Sequence, residues 1–360
     1  KDWGWTSQVW FKSALALWLF GLFSAVTGPD PLFTLQQGFV WFRFPLYVAA
    51  AQVWLARDRD IRIVMLLSML IGMIIMSGIL IAETIVDPKI RLTWPYGDHV
   101  PGGYIAKVSL PLFCVLMAIA VSKKSKASII SGMIGLLSIF VSVLTGERTN
   151  FLIRAFGGLL ASIVWKPKFI MFLLLVLIEL SAVLFIFLSR PDLNNRFIKN
   201  FIDHVPIVNT TDQNPHWGAW RGGIQQGLLT PIKGIGPSGT RHTCKYLDTT
   251  LPDWLPGKNY CGNHPHNFYI QLLAETGLIG FLFLFSCFCY VVYCSFMQLK
   301  SILFKQKRYL TDYQVCLLSG ILITVWPIAP NGNFFHNWLM IVYSLPIGFY
   351  LQSIYSRKKK

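Results

Sequence analysis

The chain has 360 residues, of which 54% are hydrophobic and only 13% are charged. A soluble domain carries roughly 25% charged residues, so this composition excludes an ordinary soluble protein and is typical of a helical membrane protein. The net charge of +16 would indicate a nucleic-acid partner in a soluble chain. Here most basic residues lie in short loops between apolar runs, where they orient a membrane protein. We therefore expect no nucleic-acid partner.

Apolar runs of about 20 residues recur along the whole chain, and a run of this length crosses a bilayer as a helix. They predict an all-α polytopic integral membrane protein. Seven transmembrane helices are expected within residues 1–189 and three within residues 266–360, separated by one large hydrophilic loop at 190–265. The ten predicted spans are 10–27, 38–55, 63–85, 104–121, 127–145, 151–165, 169–189, 267–299, 315–328 and 336–351.

Lysine and arginine cluster in every second loop, an alternation that sets the orientation of the helices. It places both termini and basic loops such as 57–62 and 123–126 in the cytoplasm, and the loop 190–265 on the opposite, outer side. All seven histidines then lie on the outer side or at its membrane edge. Histidine avoids apolar spans in any protein, but this does not explain why the cytoplasmic loops contain none.

Two of the seven cysteines, Cys244 and Cys261, lie in the large outer loop. If the outer side is a periplasm, we expect them to form a disulfide, and two free thiols are the alternative. No CxxC or HExxH spacing occurs, so we expect no metal site. The other cysteines fall within predicted spans and are expected to pack there: Cys114, Cys287, Cys289, Cys294 and Cys316.

His266 is the candidate for acid–base chemistry, because imidazole is the side chain best suited to accept a proton from a hydroxyl near neutral pH. It stands where the helix of the eighth span begins, and the positive end of a helix favours a neutral imidazole. The structural alternative is that His266 or Asn267 only caps this helix.

Arg148 is the first candidate for phosphate binding. It lies in a very short outer turn between two predicted spans, and a guanidinium can bind two phosphate oxygens at once. Arg91, in the outer loop 86–103, is a second candidate. The alternatives for Arg148 are contact with lipid headgroups or an ion pair with Glu147.

Two further arginines, Arg43 and Arg154, lie deeper within predicted spans. A charge at this depth is costly unless it is paired or faces a wet cavity, and Glu83 and Glu179 are candidate partners. These charges would also fit a transporter or flippase of an anionic lipid-linked substrate. Such proteins often show internal repeats, and we find no convincing repeat here.

Arg221 precedes the glycine-rich stretch 233–239 by about ten residues. Such a stretch lets backbone N–H groups approach an anion. It lacks the GxxxxGK[ST] pattern of a nucleotide-binding loop, so the signal is weak. The loop is basic, with eight Lys and Arg against five Asp between Arg190 and His264, which suits a phosphate-bearing substrate or a generic surface.

Three of these stretches resemble motifs of the O-antigen ligase and polymerase superfamily. Residues 264–267 (HPHN) and 272–280 are similar to its HxHN…LxExGxxG signature. Residues 144–149 (LTGERT) are similar to its TGSRT turn, with glutamate where serine is usual. Arg221 and residues 233–236 (KGIG) are similar to its R…LxGxG stretch. The resemblance covers roughly the C-terminal two thirds of the chain.

The resemblance implies a bacterial inner-membrane protein with a GT-C-like helical fold. Family members have about twelve membrane spans, two more than we predict. It also implies a donor glycan linked to undecaprenyl pyrophosphate, an acceptor hydroxyl on lipid A-core, contact with membrane lipids, and no cofactor. The reaction would be an inverting, metal-independent glycosyl transfer at the periplasmic face, as in lipopolysaccharide assembly.

In residue terms, the resemblance makes His266 the catalytic base. Arg148 and Arg221 would hold the pyrophosphate of the donor, with Arg91 as a further candidate. Three other motif residues are expected to support the site: His264, Asn267 and Glu275. A polysaccharide polymerase and a protein O-oligosaccharyltransferase are the close alternatives, because the sequence does not identify the acceptor.

Overall fold

The structure, a computed structural model, describes residues 3–89, 91–98, 100–123, 127–165, 169–194, 197, 215–243, 264–335 and 339–358. Within them, every regular element is a helix, as the apolar runs predicted. In chain order these are α1 (Val9–Val26), α2 (Pro31–Trp41), α3 (Arg43–Ala50), α4 (Arg59–Val86), α5 (Pro101–Lys123), α6 (Ala127–Leu144), α7 (Arg148–Trp165), α8 (Phe169–Ser189), α9 (Pro191–Asn194), α10 (Pro215–Leu229), α11 (Thr240–Thr243), α12 (Phe268–Leu303), α13 (Asp312–Val325) and α14 (Leu339–Lys358).

Three helices of the described residues, α1, α4 and α12, are long and apolar enough to cross a membrane. Shorter apolar segments lie at Pro101–Leu116, Met133–Leu144, Leu177–Ser189 and Asp312–Val325. All of them fall on predicted spans. The helical class and the membrane character are therefore supported, whereas the number of spans, the sidedness and the GT-C-like architecture stay predictions.

The predicted second span, 38–55, is not one continuous helix. It is divided between α2, α3 and a π-helical turn at Ala51–Leu55, with a break at Phe42. Pro45 has no N–H to donate to the preceding turn, which favours a break at this point. α2 begins earlier than predicted, because the Asp30 side chain accepts a hydrogen bond from the Phe33 N–H at 3.3 Å and caps the helix.

The chain divides into two compact units that each combine separated segments. Unit 1 contains Lys1–Val53, Asn200–Cys289 and Pro330–Ser344, and unit 2 contains Trp54–Lys199, Tyr290–Ala329 and Leu345–Lys360. The predicted division at residues 189 and 265 follows the order of the chain, so it describes membrane topology and not these units.

In unit 1, α12 is kinked at Gly277, whose φ is +62°. The Leu278 N–H turns outward and donates to the Pro231 carbonyl at 2.8 Å. A Cβ at position 277 would overlap the carbonyl oxygen of Ile232. Only glycine can adopt this φ and leave room for the Ile232 carbonyl without strain. The kink therefore fixes where the first turns of α12 end and where the segment 231–236 packs.

In unit 2, small residues allow α5, α7 and α13 to pack closely. A Cβ at Gly320 of α13 would overlap Pro111 of α5, and one at Gly157 of α7 would lie 2.6 Å from Ile323 of α13. Close backbone approach at small residues is the usual way membrane helices associate. A core of buried apolar side chains from α4, α5 and α6, including Met73 and Ile105, completes this unit.

Candidate active site

His266 lies directly before α12 in unit 1, and its side chain is exposed. Its backbone has φ = +56°, a left-handed conformation that is uncommon outside glycine, although histidine tolerates it better than most residues. Such a conformation costs about 1–3 kcal/mol and is enriched at functional sites. His266 therefore combines a strained backbone with an exposed imidazole at the start of a helix.

Asn267, and not His266, supplies the side chain that caps α12. Its Oδ1 accepts hydrogen bonds from the Tyr269 N–H at 2.9 Å and from the Ile270 N–H at 3.2 Å. Of the two residues that could cap α12, Asn267 is thus the one whose side chain does so. Asn267 is only 2% exposed, so its described role is to cap α12, whereas the side chain of His266 is exposed.

Two other histidine rings lie beside His266. The ring centroid of His264 is 4.3 Å away and that of His216, in the first turn of α10, is 6.0 Å away. His264 was a predicted supporting residue, whereas His216 was not singled out in the sequence. A residue 50 positions upstream gives no local signal that it will meet His266.

Arg221 lies on the same helix as His216 and is 6% exposed. They are five positions apart, which corresponds to about 7.5 Å along the axis of α10. α10 is held against the start of α12 by two glycines, since a Cβ at Gly223 would lie 2.6 Å from Ile270 and one at Gly227 would lie 2.6 Å from Leu273. The GxxxG spacing of α10 therefore places Arg221 on an element that is packed firmly against the His266 region.

The glycine-rich stretch 233–239 does bind an anion with its backbone, but that anion is a side chain of the protein. The Ser238 N–H donates to the Glu275 carboxylate at 2.8 Å. The N–H groups of Ile235 and Gly236 donate to the carbonyls of Ala274 and Glu275 at 3.0 and 2.9 Å. These three N–H groups have partners within unit 1, so they do not strengthen the weak signal for an anion-binding turn in this stretch.

Glu275 is completely buried, and three groups donate to its carboxylate. Besides the Ser238 N–H, these are the Thr240 hydroxyl at 2.8 Å and the Gln271 side-chain amide at 3.0 Å. A buried carboxylate is tolerated when its oxygens are hydrogen-bonded in this way. Glu275 thus joins the glycine-rich stretch to α12 and has no exposed surface through which to touch a substrate.

Arg148 and Arg91 belong to unit 2. Arg148 is the first residue of α7 and is 9% exposed. Arg91 is bound to Glu147, with its Nε donating to Oε1 at 2.6 Å and its Nη2 in contact with the same oxygen. The unusual glutamate of the 144–149 turn therefore has Arg91 as a partner. The predictions that Arg148 and Arg91 contact pyrophosphate stay predictions.

The two arginines that were predicted to lie deep in spans have different surroundings. Arg154 lies 3.7 Å from Glu179 and donates to the hydroxyls of Ser138 at 2.6 Å and Ser109 at 3.3 Å. It thereby links α5, α6, α7 and α8 of unit 2. Of the two candidate partners, Glu179 is the one that lies beside Arg154, and these contacts are consistent with a structural role for Arg154.

Glu83 is instead bonded to the backbone. Its carboxylate accepts from the N–H groups of Thr93 at 2.9 Å and Trp94 at 2.9 Å, so it anchors the loop after α4. Arg43 is exposed, and its guanidinium lies 4.8 Å from the centroid of the Phe44 ring. Arg43 is therefore not a buried charge, and the buried carboxylate of Glu83 is satisfied by backbone donors.

Cys244 and Cys261 lie outside the described residues, so the disulfide stays a prediction. The five other cysteines are free thiols, and Cys114, Cys294 and Cys316 are buried as expected. Among the residues that the structure describes, no group of three His, Cys, Asp or Glu side chains is arranged to hold a metal ion.

Two residues of unit 1 that the sequence did not single out, Gln271 and Asn333, complete the polar network around Glu275. Gln271 Nε2 donates to Asn333 Oδ1 at 2.9 Å, and Asn333 Nδ2 donates to Ser238 Oγ at 3.3 Å. Gln271 lies four residues before Glu275, a helical spacing that could have revealed it. Asn333 is 62 residues from Gln271 and could not have been found in this way.

Comparison with known proteins agrees with the motifs. Residues 133–285 match a family described as O-Antigen ligase, and this range includes the 144–149 turn, Arg221 and the 264–280 signature. No match was found among the curated proteins. The resemblance that the three motifs predicted is confirmed over residues 133–285, which match the O-antigen ligase family.

Proposed function

We propose that this protein is a glycosyltransferase that moves a glycan from undecaprenyl pyrophosphate to a hydroxyl of lipid A-core at the periplasmic face of a bacterial inner membrane. The observation that carries the proposal is the exposed His266, held with a left-handed backbone at the start of α12 inside the matched ligase domain. The apolar helices α1, α4 and α12 support a membrane setting, where a lipid-linked donor is available.

His266 acts as the general base in this proposal. Its nitrogen takes the proton of the acceptor hydroxyl as the oxygen attacks the anomeric carbon of the glycan. The bond between that carbon and the pyrophosphate oxygen breaks, and undecaprenyl pyrophosphate leaves with the electron pair. Attack opposite the leaving group inverts the anomeric centre.

Arginine side chains stabilise the charge that grows on the departing pyrophosphate. Arg221 is the first candidate, because it belongs to the same unit as His266 and lies on α10, which packs against the start of α12. Arg148 is the candidate from unit 2. Arg91 is a further candidate for pyrophosphate binding, and its Nε and Nη2 also contact Glu147.

The test is a transfer assay in detergent with purified protein, undecaprenyl-pyrophosphate glycan and lipid A-core, run with and without EDTA. One glycan added to the core, and lost in His266→Ala, supports the ligase. A ladder of longer lipid-linked glycans with the core unchanged identifies a polymerase, and a glycosylated protein identifies a protein O-oligosaccharyltransferase. No new bond, with the donor crossing a liposome membrane, overturns the enzyme in favour of a transporter.

A further inference from the structure

Residues 331–335 form a short buried segment between α13 and α14, outside the matched range 133–285. In the sequence they lie between the predicted spans 315–328 and 336–351. Asn331 and Asn333 are each 4% exposed, Phe334 is 5% and Phe335 is 2% exposed. A loop buried to this extent needs partners for its backbone N–H and carbonyl groups. In unit 1 those partners belong to His266 and to the first turn of α12.

The Asn331 N–H donates to the carbonyl oxygen of His266 at 3.0 Å. The direction of a carbonyl is set by the ψ angle of its own residue, so this hydrogen bond restrains the backbone of His266 itself. His266 has φ = +56°, and a strained conformation persists only where the surrounding structure enforces it. The Asn331 N–H is one of the groups that enforces it.

Asn333 and Gln271 fasten the same segment to the helix that follows His266. Gln271 Nε2 donates to Asn333 Oδ1 at 2.9 Å, and the Phe334 N–H donates to Gln271 Oε1 at 2.9 Å. Asn333 Oδ1 also accepts from the Phe335 N–H at 2.8 Å. Gln271 is one turn from Asn267, whose carbonyl accepts the Gln271 N–H at 2.9 Å. The segment is thus bonded to the carbonyl of the His266–Asn267 peptide and to the first turn of the helix that follows it.

Aromatic packing holds the segment from its apolar side. The Phe334 ring meets Phe268 edge to face at a centroid distance of 5.1 Å and stacks on Trp41 at 5.7 Å. Phe268 is the first residue of α12. Edge-to-face pairs contribute beyond simple burial, so the position of Phe334 is coupled to the start of the helix that carries His266.

We infer that the 331–335 segment is a positioning element for His266, acting through the Asn331 N–H and the Asn333–Gln271 pair. This inference rests on the proposed function, because it assumes that His266 is the base. In this inference none of these groups contacts the substrate. Their effect is to hold the imidazole in the orientation from which it reaches the acceptor hydroxyl, and a small misplacement of a catalytic group lowers the rate strongly.

The first test is Asn333→Ala in a single-turnover transfer reaction, in which folded enzyme isolated by size-exclusion chromatography is in saturating excess over labelled donor and the acceptor is saturating. The rate constant then reports the folded, donor-bound enzyme, and the melting temperature is measured separately. We expect the rate constant to fall by about ten- to a hundredfold, with the dissociation constant of undecaprenyl-pyrophosphate glycan unchanged within about twofold. An unchanged rate constant with a lower melting temperature would show a purely structural role and overturn the inference.

Gln314→Ala is the matched control. Gln314 is also a buried amide, 3% exposed, which accepts from the Thr311 N–H at 2.9 Å and donates to Ser353 at 3.2 Å. It lies in the first turn of α13, in unit 2. We expect a lower melting temperature and an unchanged rate constant. An equal loss of rate in both variants would count against a specific role for Asn333.

The second test compares Asn331→Pro with Asn331→Ala. Both remove the asparagine side chain, but only proline also removes the N–H that donates to His266. The inference predicts at least a tenfold lower rate constant for the proline variant than for the alanine variant. Equal rate constants would contradict it, as would complete loss of folded protein in both Asn333→Ala and Asn331→Pro, which would assign the segment to the fold alone.

The wild type and His266→Ala are run in the same experiment to separate this inference from the proposed function. If His266→Ala transfers at the wild-type rate, His266 is not the base, and the proposed function and the inference fail together. If His266→Ala is inactive while Asn333→Ala and Asn331→Pro keep the wild-type rate constant, only the positioning role fails.

Discussion

His266 and Glu275 belong to one sequence signature, yet the structure gives them opposite surroundings. His266 is exposed on a strained backbone before α12. Glu275 is completely buried, and three donors from Ser238, Thr240 and Gln271 satisfy its carboxylate. A titratable residue in a family motif therefore need not be catalytic. Burial and hydrogen-bond saturation distinguish Glu275, which links the glycine-rich stretch to α12, from His266, the proposed base.

The largest expected effect is at His266. His266→Ala should lower the transfer rate by about 10²–10⁴-fold, because the general base is lost. His266→Asn is the matched control for the backbone, since asparagine tolerates positive φ better than alanine does. We expect both variants to be equally inactive and His266→Asn to have the higher melting temperature. Activity retained in either variant would show that His266 is not the base, and the proposed difference in role between His266 and Glu275 would no longer hold.

Glu275 should give the reverse pattern, with a large change in stability and a smaller one in the chemistry. Glu275→Leu leaves three buried donors without their acceptor, and we expect a loss of about 3–5 kcal/mol in the free energy of unfolding. Glu275→Gln keeps one acceptor oxygen and should lose about half as much. Thermal unfolding in detergent measures the stability, and single-turnover rates measure the chemistry. A normal melting temperature with abolished transfer would make Glu275 a reacting group.

Substitution of Gly277 tests whether the kink of α12, two residues after Glu275, is required. Gly277→Ala places a side chain at φ = +62° against the Ile232 carbonyl, and we expect a loss of about 2–3 kcal/mol. Gly78→Ala in α4 is the control, since a Cβ there meets nothing within 4 Å and alanine favours a helix by about 0.5–1 kcal/mol. Equal melting temperatures for the two variants would show that the kink is dispensable.

The smallest effect is expected at the Arg91–Glu147 pair, which extends the comparison to unit 2. The side chains are 32% and 15% exposed, and pairs that are open to water contribute less than about 1 kcal/mol. Arg91→Ala should therefore cost little stability, and adding Glu147→Ser should recover most of it by removing the orphaned carboxylate. Donor affinity separates an ion-pairing role of Arg91 from a donor-binding role. If Arg91 binds the pyrophosphate, the affinity for the donor falls in both the single and the double variant.

The helical class, the apolar segments and the site motifs could be predicted from the sequence, because each depends on residues that are close along the chain. The start of α12 at the 264–267 motif is of this kind, since Asn267 caps the two N–H groups next to it. The GxxxG spacing of α10 and the Gln271–Glu275 spacing also carried usable local signals.

The roles within the site could not be assigned in the same way. The N–H groups of 233–239 suit any anion, and only folding placed the Glu275 carboxylate against Ser238 at 2.8 Å. The pairing of Asn333 with Gln271 joins residues 62 positions apart, and the Asn331 N–H reaches the His266 carbonyl across a similar gap. A hydrogen-bonding group in a sequence states only what it can donate or accept. Which partner it finds, and whether water still reaches it, is fixed when distant segments pack together.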